Sequence, residues 1–310
     1  MTASIKALTI IAAISAALVF ASTADALPYN LGGAADYAVL SIGGVNHGGG
    51  VTTISTEEIY QSGTVINGNV GIGPNTNVTH HMDAHINGRL DYDSTVTATS
   101  NFLDHPYVDN ISGGAHQTPM SSIVADARNA SLLYAGLAAT QTFSTWNQNG
   151  QTINLNPGLN VIRVTGDVTL KQDFVLNGSA TSMVVFQFTS GTGAGHDVLT
   201  LSGTNMILMG GISASQILWD LDGAGGDVSI TSDANLYGTF LAPDRNFLMD
   251  SAALLGQIIA GGDGSYLSIH STSTVTMPGG QVPDGGSGLM LLGFALGGLK
   301  GLHRFLGWRS

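Results

Sequence analysis

The histidine-rich segment at residues 80–85 carries the side chains best suited to chemistry in this sequence. It places His81, Asp83 and His85 at alternate positions. In an extended strand such positions point to one face, because strand side chains alternate with a period of two. Imidazole with carboxylate suits zinc or another first-row metal. These three residues are therefore a candidate metal site, and a solvated strand or loop is the alternative.

A second candidate lies in a glycine-rich turn that contains Asp220, Asp222 and Asp227. Calcium takes about six to eight oxygen ligands and is often bound in such turns. The spacing lacks the closing Glu of an EF-hand, and Asp also favours turns through its own backbone hydrogen bonds. The segment is a candidate calcium turn, with simple turn formation as the alternative.

Threonine rows are the third candidate. Thr95, Thr97 and Thr99 alternate along a predicted strand, and the threonines between 272 and 276 do the same. Hydroxyl and methyl groups in rows on a rigid plane could order water, so Thr95, Thr97 and Thr99 are a candidate face for ice or another ligand. Ice binding needs such rows on adjacent coils, and no Thr ladder spans successive repeats. Threonine is also simply a good strand former.

The sequence shows no motif of a catalytic site. It has no nucleophile elbow, phosphate-binding loop or zinc-protease motif. Cysteine is absent, which excludes disulfides, thiolate nucleophiles and Cys-ligated clusters. A net charge of −12 argues against nucleic-acid binding. We therefore predict that the protein has no catalytic residue, no cofactor and no enzymatic activity.

The elements that must position these side chains are short β-strands separated by turn residues. Glycine occurs 43 times, while charged residues make up only 10% of the chain. The segment 236–242 recurs at 254–260 with its glycine and apolar positions aligned, and Ile66-Asn67-Gly68 recurs at 86–88. A repeat of about 18–20 residues fits one coil of a β-solenoid. Glycine would serve the corners, and stacked coils would bury an apolar interior.

One segment has helical rather than strand spacing. We predict a helix over about residues 119–140, with Thr118 as its N-cap and Pro119 at its first position. The helix would lie along the solenoid and cover one apolar side. Its predicted buried stripe contains Ile123, Ala127, Ala130, Leu133, Tyr134 and Leu137.

Several short motifs together resemble a known family. They are LGGAADYAVL at 31–40, GNVGIG at 68–73, FQF at 186–188, ILW at 217–219, GTFLAP at 238–243 and GQIIA at 256–260. Over residues 31 to 276 the chain resembles bacterial ice-binding-like, adhesin-type domains and the choice-of-anchor surface domains. The resemblance implies an all-β-dominated fold for residues 27–278: a right-handed parallel β-helix with one long flanking α-helix.

The N-terminal residues 1–26 are typical of a secretory signal peptide. Lys6 precedes an apolar stretch at 7–20, and Ala24-Asp25-Ala26 is a small-residue cleavage site. We predict that the mature chain begins at Leu27, and an uncleaved anchor is the alternative.

The C-terminal segment 279–310 has three parts in a fixed order. The motif Val282, Pro283, Asp284, Gly285 and Gly286 precedes an apolar run, and the basic residues Lys300, Arg304 and Arg309 follow it. This order resembles the PEP-CTERM sorting signal, with Val-Pro-Asp-Gly-Gly in place of the usual Val-Pro-Glu-Pro. The resemblance implies a membrane helix over about residues 287–306 and processing by an exosortase-type membrane protease. An ordinary C-terminal anchor is the alternative.

Together these observations predict an exported, non-catalytic protein with a structural or adhesive role. Its expected location is the cell surface or extracellular matrix, after at least transient contact with the inner membrane. The expected partners are the exosortase-type protease and extracellular polysaccharide or surface proteins. Two alternatives remain: an ice-binding protein that uses a flat Thr-bearing face, and a β-helix enzyme that acts on polysaccharide.

Overall fold

The computed structural model describes residues 29–44, 51–54, 63–80, 84–98, 111–144, 146, 150–188 and 198–279. The predicted signal peptide, the Val282–Gly286 motif, the C-terminal membrane helix and the basic residues Lys300, Arg304 and Arg309 lie outside the described residues. Within the described residues, no helix has the length and apolar character needed to cross a membrane.

Short strands make up most of the described chain, and one α-helix interrupts them. Before the helix the strands are β1 (Val39–Gly43), β2 (Val51–Ile54), β3 (Val65–Asn67), β4 (Val70–Ile72), β5 (Asn77–His80), β6 (His85–Ile86), β7 (Leu90–Tyr92), β8 (Thr97–Ala98) and β9 (Ala115–Gln117). Helix α1 (Ser121–Ala135) follows. Short 3₁₀ helices occupy Gly32–Asp36 and Ala214–Gln216.

After the helix the chain returns to strands. They are β10 (Gln141–Phe143), β11 (Thr152–Asn154), β12 (Gly158–Val164), β13 (Val168–Leu170), β14 (Phe174–Asn177), β15 (Ser182–Phe188), β16 (Leu199–Ser202), β17 (Met206–Met209), β18 (Ile217–Asp220), β19 (Val228–Thr231), β20 (Asn235–Ala242), β21 (Phe247–Asp250), β22 (Ala253–Gly262), β23 (Tyr266–His270) and β24 (Thr274–Thr276).

These strands stack in parallel on three sides of a β-helix-like solenoid. The helix side has the order β10-β12-β15-β18-β20-β22-β1-β4-β7-β9, and a second side is the eight-stranded sheet β13-β16-β19-β21-β23-β2-β5-β8. The third side begins with β11-β14-β17 and continues through the first residues of β20 and β22 into β24, β3 and β6. The all-β fold of parallel coils with one flanking helix agrees with the prediction.

The order of the coils in space is not their order along the chain. Strand β1 lies between β22 and β4, so the N-terminal strand is inserted in the middle of the solenoid. Strand β24 likewise lies between β22 and β3, in the same coil of the solenoid as β1. Helix α1 connects β9, at one end of the helix side, to β10 at the other end. The first and last strands of the described chain therefore complete one shared coil.

The sequence repeats mark strands that are paired in the structure. Leu236 pairs with Leu254, and Gly238 pairs with Gly256 in the same register. Ile66 likewise pairs with Ile86. The predicted solenoid register is confirmed at these two places.

Aromatic rings fill the interior near the β10 end of the solenoid. Trp219 stacks on Phe240 at 5.2 Å between ring centroids and on Phe186 at 4.5 Å. Trp146 also stacks on Phe186, at 5.1 Å. These stacked rings pack the interior of the solenoid between its sheets.

Helix α1 packs on the helix side, as predicted, but it begins at Ser121 and ends at Ala135 instead of spanning about 119–140, and its buried stripe differs. Val124, Ala127, Ala130 and Tyr134 are buried, whereas Leu133 is 55% exposed. The sequence placed Leu133 in the buried stripe, but Ser131 is buried instead. The Ser131 hydroxyl donates to Asp220 on β18 at 2.9 Å and so holds this face of the helix against the sheet.

The predicted N-cap is also wrong. Met120, not Thr118, precedes the first helical residue, and Pro119 lies outside the helix. The backbone N–H of Thr118 donates to the Tyr92 carbonyl and so extends the ladder of β9. The backbone N–H of Met120 donates to the Asp93 carboxylate, which anchors the start of the helix to the preceding coil.

Candidate ligand-binding face

The eight-stranded sheet has an apolar inner face and a hydroxyl-rich outer face. Val168, Leu199, Val228, Phe247 and Leu267 point inward and are buried. Because side chains alternate along each strand, the residues that follow them point outward. In register order, this first outward row contains Thr169, Thr200, Ser229, Leu248 and Ser268. The strand pairing of the sheet continues beyond β23 into β2 and β5.

A second outward row lies two residues further along each strand. It contains Ser202, Thr231, Asp250 and His270, in register order. We call the two rows together the hydroxyl face. Neighbouring strands of a sheet are about 4.8 Å apart, so the hydroxyl groups of Thr169, Thr200 and Ser229 repeat at nearly constant spacing, up to the interruption at Leu248. Each hydroxyl can both donate and accept a hydrogen bond, and the face can therefore bind an ordered array of oxygen atoms.

One end of the hydroxyl face has a more specific arrangement. The Ser268 hydroxyl lies 2.7 Å from Nε2 of His270, and Asp250 is opposite His270 in the neighbouring strand. Ser, His and Asp are the residue types of a hydrolase triad. However, Oδ1 of Asp250 accepts a hydrogen bond from Ser251, and only 8% of Ser268 is exposed. The pair therefore lies within a flat wall and fixes the orientation of the imidazole.

The predicted threonine candidates lie at different places. Thr97 is on β8, where it pairs with Asn77 at the edge of the eight-stranded sheet. Thr95 lies in the turn before β8, and its hydroxyl donates to Asp93 at 2.9 Å. Thr99 lies outside the described residues. Thr274 and Thr276 belong to β24 on the third side.

The predicted metal cluster is described at one of its three residues. His85 is exposed on β6, on the third side, while His81 and Asp83 lie outside the described residues. In the part of the chain that the structure covers, no three His, Cys, Asp or Glu side chains are grouped to hold a metal ion. The metal site at His81, Asp83 and His85 stays a prediction.

The residues of the predicted calcium turn point to different surroundings. Asp220 is buried beneath helix α1, and Asp227 accepts a hydrogen bond from Asn246 at 2.7 Å. The buried guanidinium of Arg245 donates to the carbonyl oxygens of the turn at Leu221, Asp222 and Gly226, over 2.8–3.2 Å. These carbonyl oxygens already bind the positively charged guanidinium of Arg245. A calcium ion at this turn stays a prediction.

The sequence did not reveal the row through Thr169, Thr200 and Ser229 because its members are unequally spaced along the chain. Coils on this side differ in length, so the residues of the row follow one another at no fixed interval along the chain. A search at a fixed repeat length cannot align such residues. The signal available in the sequence was a Thr or Ser beside a buried Val, Leu or Ile in successive strands.

Comparison with known families gives one match that covers most of the chain. A sequence model of the family described as an ice-binding-like adhesive domain matches residues 30–270. No curated protein matches the chain significantly.

Solved structures with a similar fold include three ice-binding proteins. One is from the Antarctic ascomycete Antarctomyces psychrotrophicus, with 20% identity, a TM-score of 0.52 and coverage of 80% of this chain and 97% of that one. One is from an Arctic yeast, with 18% identity, a TM-score of 0.53 and coverage of 82% and 95%. One is from an Antarctic bacterium of the Flavobacteriaceae, with 17% identity, a TM-score of 0.56 and coverage of 80% and 47%. The three similarities show a shared fold.

Proposed function

Because this chain belongs to the ice-binding-like adhesive domain family, we propose that it is a non-catalytic surface protein that binds ice through its hydroxyl face. The observation that carries the proposal is the outward row of Thr169, Thr200 and Ser229, which are paired in register on three adjacent strands. The similar structures named above, two of which this chain covers almost completely, are described as ice-binding proteins and add support.

The physical basis is a rigid array that matches an ordered solid better than liquid water. The inner side of this sheet is fully buried, so the outer side chains sit on a wall that moves little. A preordered surface loses little conformational entropy on binding, and many weak contacts then add up. Threonine contributes a methyl group beside each hydroxyl, which gives the face both apolar and hydrogen-bonding contacts.

The proposal is tested by thermal hysteresis and inhibition of ice recrystallisation, with protein purified after expression of the full chain. The variant Ser229→Tyr places a bulky ring in the middle of the first row, and we expect it to lose most of the hysteresis. Leu248→Thr, which replaces the one leucine between Ser229 and Ser268, should give hysteresis equal to or above that of the wild type.

The matched control is Ser122→Tyr on the exposed surface of helix α1. It introduces the same ring away from the hydroxyl face, and we expect hysteresis like that of the wild type. Absence of hysteresis and of ice shaping in the folded wild type, or equal loss in both tyrosine variants, would contradict ice binding through this face.

The non-catalytic part of the proposal has its own test at the Ser268–His270 pair. We expect no hydrolysis of model esters or of polysaccharides by the wild type. Hydrolysis that disappears in Ser268→Ala would instead favour an enzyme, including the alternative of a polysaccharide-acting β-helix.

Export and sorting complete the proposed function. The signal-like residues 1–26 and the Val282–Gly286 motif support secretion and processing by an exosortase-type protease, with retention at the cell surface or in the exopolysaccharide. The mass of the mature protein tests this step. A product that ends near Asp284 and lies outside the inner membrane is expected. A membrane-bound product that retains Arg309 would show that the tail is an ordinary anchor.

A further inference from the structure

The third side of the solenoid carries a partly exposed apolar row. It is formed by Val175, Ile207, Tyr237 and Leu255 on the adjacent strands β14, β17, β20 and β22, and we call it the apolar stripe. Ile207 is 44% exposed and Leu255 is 38% exposed. Scattered apolar residues are normal on a protein surface, but a continuous row across four strands indicates an interaction site.

Paired asparagines border the apolar stripe on both edges. On one edge the Asn235 amide donates to Asn205 at 2.7 Å, and on the other the Asn177 amide donates to Asn154 at 2.9 Å. A carboxamide has two N–H donors and an oxygen with two lone pairs. The bond to its neighbour therefore fixes the orientation of each amide without using all of its hydrogen-bonding capacity.

The same outward position continues beyond Leu255 as a polar row. Thr276 pairs with Leu255 and with Asn67. The Asn67 amide donates to the Thr276 hydroxyl at 3.0 Å, and the Asn87 amide donates to Asn67 at 2.8 Å. An apolar stripe and an amide row thus follow one straight line along the solenoid.

We propose that the apolar stripe and its asparagine rows bind a neutral, extended polysaccharide. A sugar ring presents C–H groups on its faces and hydroxyl groups around its rim. The stripe, with the exposed side chains of Ile207 and Leu255 in it, suits the faces, and the flanking amides suit the rim. The proposal rests on the retention in the exopolysaccharide proposed above but does not depend on ice binding, because it uses a different side of the solenoid.

Charge and size favour a neutral polysaccharide over an anionic polysaccharide or a second copy of the chain as the ligand of this surface. The four residues of the stripe are uncharged. Asp173, at the end of one asparagine row, accepts from the Asn205 amide at 2.9 Å, and the chain has a net charge of −12, so the negative charge repels an anionic polysaccharide. A second copy of the chain would carry the same charge. A stable protein interface also needs about 800 Å² per partner, more than four partly exposed side chains supply.

Binding of the protein, purified after expression of the full chain, to insoluble cellulose and chitin tests the inference, with alginate as an anionic comparison. We expect saturable binding to at least one neutral polymer and none to alginate. The double variant Ile207→Ala/Leu255→Ala should weaken the binding by about tenfold or more. The matched control is Leu132→Ala/Leu133→Ala, which removes two leucines that are 65% and 55% exposed on helix α1 and should bind like the wild type.

Thermal melting confirms that both double variants are folded, and thermal hysteresis of the same samples separates the two proposals. Retained hysteresis with lost polysaccharide binding supports two independent faces. Failure of the folded wild type to bind either neutral polymer, or equal loss in both double variants, would overturn the inference. Self-association that the stripe variant abolishes would overturn it in favour of a second copy of the chain.

Discussion

At the scale of single residues, Asp220 is a buried carboxyl group with only part of its hydrogen-bonding capacity satisfied. It lies in the buried layer between β18 and helix α1, where its Oδ1 accepts from the Ser131 hydroxyl and its Oδ2 has no hydrogen-bond partner. Burial raises the pKa of Asp220 to about 8, despite the opposing effects of Ser131 and Arg245. The carboxyl is therefore largely protonated at neutral pH.

This raised pKa predicts how stability depends on pH. The folded protein keeps a proton on Asp220 that the unfolded chain releases near pH 4, so this group lowers stability progressively as pH rises from about 4 to 8. In Asp220→Asn the amide stays neutral at every pH, so this loss of stability with rising pH disappears. We expect the variant to equal the wild type at pH 4 and to exceed it by up to about 5 kcal/mol at pH 9.

Urea unfolding of both proteins across this pH range measures the difference. Ser122→Asn, which changes an exposed residue that carries no charge, is the control and should show no such rise between pH 4 and 9. A constant difference between Asp220→Asn and the wild type at all pH values would contradict the raised pKa.

At the scale of elements, the corner between the third side and the helix side depends on stacked glycines. Gly238 has φ of +107°, a conformation that costs other residues energy. A Cβ placed on Gly256 would collide with the carbonyl oxygen of Gly238. The glycines that align in the sequence repeat are therefore needed because consecutive coils approach each other backbone to backbone at this corner.

This close approach predicts the effect of a single methyl group. Gly256→Ala should lower the free energy of unfolding by at least about 2 kcal/mol, because neither backbone can move without disturbing the β20–β22 ladder. Gly136→Ala, at the C-terminus of helix α1, meets only ordinary contacts and should change stability by less than about 1 kcal/mol. Denaturant unfolding of the two variants makes the comparison, and equal effects would refute the role of the corner.

At the scale of the whole molecule, the solenoid is closed by contacts between distant parts of the chain. Gln257 on β22 is fully buried, and its amide donates to the carbonyls of Ala35 and Tyr37 at 3.0 and 2.8 Å. Its oxygen accepts from the Thr239 hydroxyl at 3.1 Å. One side chain therefore connects the C-terminal coils to the inserted N-terminal segment.

Loss of this connection should loosen the solenoid in its middle. Gln257→Leu leaves three buried polar groups without their partner, which predicts destabilisation of about 2–4 kcal/mol. Amide hydrogen exchange should rise in both β1 and β22, since the two strands are paired. Gln151→Leu, an exposed position, is the control. Faster exchange in β22 without any change in β1 would contradict the role of Gln257 in connecting the two strands.

Much of the fold could be predicted from the sequence. The repeat at Leu236 and Leu254 predicted a strand register that the structure confirms, and the composition predicted glycine corners. The sequence predicted that a helix covers one side of the solenoid, but not the residues at which it begins and ends or the full set that it buries. Leu133 was assigned to the stripe because helical periodicity alone cannot tell whether Ser131 or Leu133 faces the sheet. The hydrogen bond from Ser131 to Asp220 turns Ser131 toward it.

The sequence by itself determined the class of structure, because local strand periodicity, glycine punctuation and coil repeats are properties of nearby residues. It also determined the candidates for export and sorting at the two ends of the chain. The tertiary structure alone decided which residues share a surface. Strand β1 inserts between β22 and β4, and the coils differ in length, so the hydroxyl face and the apolar stripe are assembled from residues whose separation along the chain follows no fixed interval.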